Sequence, residues 1–367
     1  MSRCVEAQVR VAYDIIALLL GSLIILTTLN DVFQTAIVPR AVGRRLRMSY
    51  YVWRWAWNVW PSLTWNVAGG DAERREDLLA LFAPAMLMLL PMMWGLFLIV
   101  GFGTIFWSMR YGLSPPGGTL ADTTYFAGTS LTTLGFGDIV GRSGIARVLS
   151  IVAASTGLGL FSIITAYLFS LFGSFQARET FVVMLGARTG VPPSGVDLLT
   201  VAGHGGTRSN LPTLMVEGQR WIAQVMESHL AYPVLAYFRS SHDYQSWVGT
   251  LGTLLDSATL VMTTIDALDD GQARVLYDLG RHATHDLAGH LGVEWKGVAP
   301  GLEQPEFERA CANLRDAGYR IDDTEAAWSR FSSLRGAYAP QLDALARFFA
   351  IPPLQWIGDR SPLSRPH

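Results

Sequence analysis

The chain has 367 residues, 50% of them hydrophobic and only 16% charged, which excludes an ordinary soluble enzyme as the first reading and favours a membrane protein. A formal net charge of -2 excludes a nucleic-acid binder that depends on a strong basic field. Cys4 and Cys311, far apart in the chain, define neither a disulfide framework nor a metal site.

Arg3 and Arg10 precede an apolar stretch in the manner of a signal peptide. The apolar character continues past Leu20 to Val38 with no small-residue cleavage pattern, so the segment reads as a retained anchor. A bilayer core of about 30 Å needs about 20 apolar residues as helix, and three segments qualify: residues 11–38, 78–107 and 145–175. Asp31, with Asn30 and Gln34, lies toward one end of the first, which suits a position near the aqueous interface. Pro84 and Pro91 predict kinks in the second.

The connection between these two segments holds Arg40, Arg44, Arg45, Arg47, Arg54, Arg74 and Arg75, which places it in the cytoplasm. The amino terminus is then outside, and three crossings put the carboxy-terminal half inside. The same connection carries Trp53, Trp55, Trp57, Trp60 and Trp65 with Tyr50 and Tyr51, and is expected to lie along the membrane surface against lipid.

Residues 111–142, between the second and third crossings, are too polar and too short to span. Ser114-Pro115-Pro116-Gly117-Gly118 is a turn cluster, Thr119 is a capping residue, and residues 120–131 supply about three helical turns. Thr132-Thr133-Leu134-Gly135-Phe136-Gly137-Asp138 follows, with two glycines suited to left-handed backbone angles. In this context the sequence resembles the pore loop of tetrameric potassium channels.

The resemblance implies a re-entrant pore helix and a selectivity filter that coordinates dehydrated potassium through backbone oxygens. Thr133, Leu134, Gly135, Phe136 and Gly137 would form the ion-binding run, Thr133 adding its hydroxyl at the inner end. Asp138 would stand at the outer mouth, while Tyr125, Phe126, Thr129 and Thr132 would support the filter. The Phe136 ring would pack behind it on Tyr125 and Phe126. Leu134 replaces a β-branched residue of the common pattern and Phe136 replaces tyrosine, a Gly-Phe-Gly form similar to that of two-pore-domain potassium channels. Thr129 stands where some relatives carry a buried carboxylate. One loop per chain implies a homotetramer.

The third crossing contains Ser155-Thr156-Gly157-Leu158-Gly159. Gly157 reads either as a gating hinge or, with Ala153, as a small-residue pair for close helix packing. No arginine-repeat helix precedes the pore region, so voltage sensing is not expected.

Residues 177–367 read as mostly helical, with helices near 214–238, 245–268, 272–291, 305–318 and 322–350. Gly203-His204-Gly205-Gly206 reads as a flexible loop, and no Gly-x-Gly-x-x-Gly turn or catalytic constellation is present. His282, His285 and His290 with Asp286 are weak metal candidates.

The expected protein is all-α. It comprises residues 1–38 with the first crossing, the connection 39–77, a pore domain 78–176 whose loop is 119–138, and a helical cytoplasmic domain 177–367. It would be a non-enzymatic subunit of a potassium channel in the plasma or cell inner membrane, with no cofactor and K+ as transported ion. Its rivals are a nonselective cation channel and a membrane-anchored sensor or enzyme acting through residues 177–367.

Overall fold

The computed structural model describes residues 2–38, 48–242, 244–266, 268–295 and 302–357. Arg40, Arg44, Arg45 and Arg47 lie outside the described residues. Two compact units are present, Met1–Leu171 and Phe172–His367. Among the described residues, three helical stretches are long and apolar enough to cross a membrane: Gln8–Ala36, Ala72–Ser108 and Gly144–Thr189.

In the first unit, α1 (Ser2–Ala36) packs along α4 (Phe82–Ser108). The two run antiparallel, since Asp14, early in α1, meets Arg110 just past the end of α4, and Asp31, late in α1, meets Trp94 at the middle of α4. Between these contacts glycines let the backbones approach. A Cβ on Gly21 would fall 2.6 Å from the Gly101 carbonyl oxygen, and one on Gly101 would fall 2.8 Å from Ile25.

The helices α2 (Met48–Ala68) and α3 (Ala72–Ala80) connect this pair. Asp71 caps α3, accepting from the Glu73 and Arg74 amides. The segment predicted to be one helix from residue 78 is divided at Leu81. Pro84 gives the reason. It has no N–H for the Ala80 carbonyl, so α3 stops there and Pro84 falls in the first turn of α4, where the missing donor costs nothing. The kink expected at Pro84 is therefore a helix boundary, whereas Pro91 lies inside α4.

The short helix α5 (Leu120–Leu131) and α6 (Gly144–Thr189) complete this core. Trp94, Leu98, Phe102 and Phe106 of α4 pack with Phe126 and Leu131 of α5 and with Ala153 and Leu160 of α6. The helix expected to end near residue 175 runs on to Thr189, with no proline inside it, and stops before Gly190. Gly190 has φ +81° and donates its N–H to the Gly186 carbonyl.

The second unit is built around α9 (Trp247–Thr263), buried at nearly every position and started by Ser246, whose hydroxyl accepts from the Gly249 amide. Around it lie α7 (Gly195–His204), α8 (Leu211–Ala231), α10 (Gly271–Leu291), α12 (Glu325–Gly336) and α13 (Ala339–Phe348), with α11 (Gln304–Asp316) against α7. Asp256 of α9 is buried but satisfied, accepting from Arg335 Nε at 3.1 Å and the Tyr338 hydroxyl at 2.6 Å. The helix expected over 322–350 is two, separated after Gly336 with Pro340 in the first turn of the second. The glycine run expected to be a loop contributes Gly203 and His204 to α7. A Cβ on Gly203 would meet the Ala317 carbonyl oxygen at 2.6 Å, so this glycine serves packing.

Asp31 is fully buried and accepts from Trp94 Nε1 at 2.8 Å, the Ser49 amide at 3.2 Å and the Ser49 hydroxyl at 3.0 Å. It joins α1, α4 and the start of α2. Each orphaned buried donor costs about 1–3 kcal/mol, so Asp31→Ala should lower the melting temperature of the purified protein, and Trp94→Phe should do so by less. Thermal unfolding of the detergent-solubilised variants checks this; an unchanged midpoint for Asp31→Ala would show that the clamp adds no stability.

Candidate functional site

The residues expected to form a filter lie between α5 and α6. Helix α5 begins with a reciprocal cap: the Thr119 hydroxyl accepts from the Asp122 amide at 3.2 Å, and the Asp122 carboxylate accepts from the Thr119 amide at 2.7 Å. The Thr119 hydrogen bonds hold the Asp122 carboxyl below the usual carboxylate range, which keeps a negative charge at the helix amino terminus. Gly103 of α4 lets α5 approach, since a Cβ there would lie 2.7 Å from Thr124 Cα. Phe106 and Phe126 then meet edge to face at 4.8 Å.

The chain leaves α5 through a tight turn. The Thr132 amide donates to the Gly128 carbonyl at 3.0 Å, that of Thr133 to Ser130 at 3.1 Å, and that of Gly135 to Thr129 at 3.1 Å. Positive φ recurs at every second residue: +60° at Thr133, +54° at Gly135 and +84° at Gly137. In an ordinary strand successive carbonyls point to opposite sides; reversing the sign of φ at alternate residues lets neighbouring carbonyls face one side. The two glycines accept these angles freely, whereas β-branched Thr133 does so at a cost on the order of 1–3 kcal/mol. The sequence places Thr133 in the expected filter but reserves left-handed angles for the two glycines; the two-residue spacing of Thr133 from Gly135 was the available signal for the third.

The loop closes on itself. Strand β1 (Leu113–Ser114) pairs antiparallel with β2 (Val140–Gly141), Leu113 opposite Gly141, and the Gly112 carbonyl accepts from the Arg142 and Ser143 amides. Residues 115–139 therefore leave and return at one place. Helix α6 reaches the base of the loop, where a Cβ on Gly157 would overlap the Leu131 carbonyl oxygen. Of the two roles expected for Gly157, gating hinge or close packing, this contact concerns packing, and its partner is Leu131 of α5. A Cβ on Gly159 would meet nothing within 4 Å.

The expected supporting residues are brought together, but partly by other contacts. Thr129 is buried with its hydroxyl on the Phe126 carbonyl, so it reaches the loop through its own carbonyl. The Thr132 hydroxyl donates to the Gly128 carbonyl at 2.8 Å. The packing expected of Phe136 on Phe126 is not formed within the chain: Phe126 turns inward onto Phe106, and Phe136 is 68% exposed. Tyr125 instead faces Asp138, whose hydrogen-bonding interaction with the phenol raises the Tyr125 pKa. The Asp138 carboxylate also accepts from the Ile139 amide at 3.0 Å. Leu134, at 62% exposure, turns away from the core as Phe136 does.

In the second unit His282 and His285 sit on the exposed side of α10 and share Asp286, at 3.3 and 3.4 Å. His290 lies in the last turn of the same helix. Among the described residues no group of three His, Cys, Asp or Glu side chains is arranged to hold a metal.

Residues 94–174 match the protein family described as ion channel. The matched stretch runs from Trp94 in α4 through α5 and the alternating-φ loop into α6, so the fold and the match together support an ion channel in a helical membrane protein. A curated relative, the uncharacterized membrane protein YdjJ of Bacillus subtilis (strain 168), is 23% identical over 143 residues, 38% of this chain and 40% of that protein. The chain thus aligns with less than half the length of this relative. No solved structure matches.

The contrast between the two α6 glycines can be measured. Gly157→Ala forces apart α6 and the end of α5 and should lower thermal stability by about 1–3 kcal/mol, the usual cost of overpacking. Gly159→Ala should be neutral or gain up to about 1 kcal/mol from helix propensity. Thermal unfolding of both variants in detergent checks this, and equal stability of the two would contradict the assigned packing.

Proposed function

We propose that four copies of this chain assemble around one axis into a potassium-selective channel, with residues 133–137 of each copy as the selectivity filter. The observation that carries this reading is the alternation of positive φ at Thr133, Gly135 and Gly137 in a loop flanked by two helices able to span a membrane. The match of residues 94–174 to an ion-channel family supports the same reading.

A dehydrated K+ ion needs a cage of oxygens in place of its water shell, and four copies of the loop supply successive rings of them. The carbonyls of Thr133, Leu134, Gly135 and Phe136 form these rings, and the Thr133 hydroxyl adds one at the inner end. Helix α5 re-enters the membrane and directs its negative carboxy-terminal dipole toward the axis, favouring a cation there. Asp138 adds negative charge at the outer mouth and, by facing Tyr125, ties the loop to α5. The apolar residues exposed on the single chain, among them Leu134, Phe136, Val148 and Phe161, are available to neighbouring copies and to lipid.

The arginine-rich connection orients the chain with its amino terminus outside and its second unit in the cytoplasm of the cell that carries it in its plasma or inner membrane. Conduction is passive and requires no cofactor.

Purified protein in liposomes should pass K+ in preference to Na+, and its native mass should be that of four chains. Gly135→Ala should abolish K+ flux or its preference over Na+ while leaving an assembled, membrane-inserted protein. A Cβ there meets no atom within 4 Å, so its effect is conformational, on the order of 1–2 kcal/mol per copy at φ +54°. Phe136→Tyr should keep selectivity. Unchanged selective flux in Gly135→Ala would remove the filter assignment, and equal K+ and Na+ permeability of the parent protein would make it a nonselective cation channel.

A further inference from the structure

Arg178, near the end of α6, is buried in the second unit, and a buried guanidinium needs an acceptor for each of its five N–H groups. Its Nε and Nη2 reach Glu179 Oε1 at 2.9 and 2.8 Å, and Nη2 also donates to the Phe238 carbonyl at 2.9 Å. Nη1 donates to the Leu235 carbonyl at 2.8 Å and faces His229 Nε2 at 3.4 Å. These contacts match the five N–H groups one to one. The other oxygen of Glu179 accepts from the Ser240 hydroxyl at 2.5 Å. Two neighbouring side chains of α6 thus hold Leu235, Phe238 and Ser240.

His229 of α8 is fully buried, and which of its nitrogens accepts is fixed by its partners. Nδ1 lies 2.8 Å from the Val225 carbonyl, which can only accept, so the proton of the neutral ring is on Nδ1 and Nε2 is the acceptor. The Ser228 hydroxyl stands 3.2 Å from the same Nδ1, and Trp247 of α9 lies against the ring at a centroid distance of 5.0 Å. The charged groups that face the imidazole come from α6: Arg178, and behind it Glu179, which takes Nε and Nη2 and leaves Nη1 to His229. From α8 and α9 come a carbonyl, a hydroxyl and an indole.

A proton on Nε2 would turn the acceptor facing Nη1 into a donor, and would set an imidazolium against the part of the guanidinium that Glu179 does not occupy. Burial opposes the second charge further. Together burial and the Arg178 charge hold the His229 pKa well below the usual imidazole value. The ring can take a proton only where it meets water or Arg178 has moved away.

We propose that Arg178, Glu179 and His229 form an acid-released latch that fastens residues 235–240 to the end of α6. Above about pH 6.5 the neutral imidazole completes the set of acceptors and the latch is closed. Below that pH the released form takes up a proton that the closed form refuses, so acid favours release. The sign is that of a histidine whose folded pKa is depressed: its contribution to stability is lost as pH falls below the unfolded value. The latch lies within the second unit and is independent of what the pore conducts.

Hydrogen–deuterium exchange of the full chain in detergent reads the latch. From pH 7.5 to pH 5.0, a released form whose imidazole has an ordinary pKa of about 6.5 gains about 30-fold over the closed form. After correction for the intrinsic pH dependence of exchange, amides of residues 235–240 should exchange about 30-fold faster at pH 5.0, while those of α10 keep their rate. His229→Gln offers an acceptor that does not titrate and should remove the response. His242→Gln, at an exposed position two residues past Ser240, should keep it. Unchanged rates over 235–240 in the parent protein would overturn the proposal, as would loss of the response in His242→Gln or its persistence in a folded His229→Gln. Equal acceleration throughout the second unit would mean acid unfolding of the whole unit, and would overturn it too. If His229→Gln does not fold, the parent protein and His242→Gln still decide the outcome.

Discussion

The loop at residues 132–138 depends on the approach of α6 to the end of α5, made where Gly157 faces the Leu131 carbonyl. An extended run with positive φ at three residues lacks a regular hydrogen-bond ladder, so its conformation has to be imposed by what surrounds it. The surroundings do this from several sides. Helix α5 is set by the Thr119–Asp122 cap and by Gly103, the Thr129 carbonyl holds the Gly135 amide, and the β1–β2 pair closes the loop's ends. A side chain at position 157 would open this frame at its base. The strain at Thr133 persists only because the frame over-determines it.

The same logic governs the α1–α4 pair. Apolar helices in a bilayer gain little from the hydrophobic effect against one another, so their register comes from close contact and polar pairs. Gly21 and Gly101 supply the contact. Two polar pairs link them: Arg110 with Asp14 at 2.6 Å, and Asp31 with Trp94, Asp31 also binding Ser49. Asp31, which the sequence expects near an interface, is buried at the junction of three helices. In the second unit Arg178 is paired in the same way. Arg178 is buried, bound to Glu179 and donating to the Leu235 and Phe238 carbonyls. Burial and the nearby Arg178 charge hold the pKa of His229 well below the usual imidazole value, so this side chain is neutral at pH 7.

Features carried by neighbouring residues were legible in the sequence. Three apolar lengths, the Thr119 cap, the span of α5 and the left-handed glycines at 135 and 137 all follow from chemistry within a few positions. Errors fell where one residue's effect depends on its place in a helix. Pro84 reads as a kink until the end of α3 at Ala80 makes it a first-turn proline. Gly203 reads as loop until Ala317, more than a hundred residues away, occupies the space of its missing side chain.

The sequence by itself determined which segments are apolar enough to cross a bilayer and which loop has the composition of a filter, because helix length, capping and glycine freedom are local. Only the tertiary structure decided that Thr133 shares the left-handed conformation of the two glycines, that Gly157 faces a carbonyl, and that Trp53 and Trp57 face protein while Trp55 faces out. These outcomes turn on which helix faces meet. That is set by contacts between residues distant in the chain, Asp31 with Trp94 and Leu131 with Gly157 among them, which no local pattern encodes.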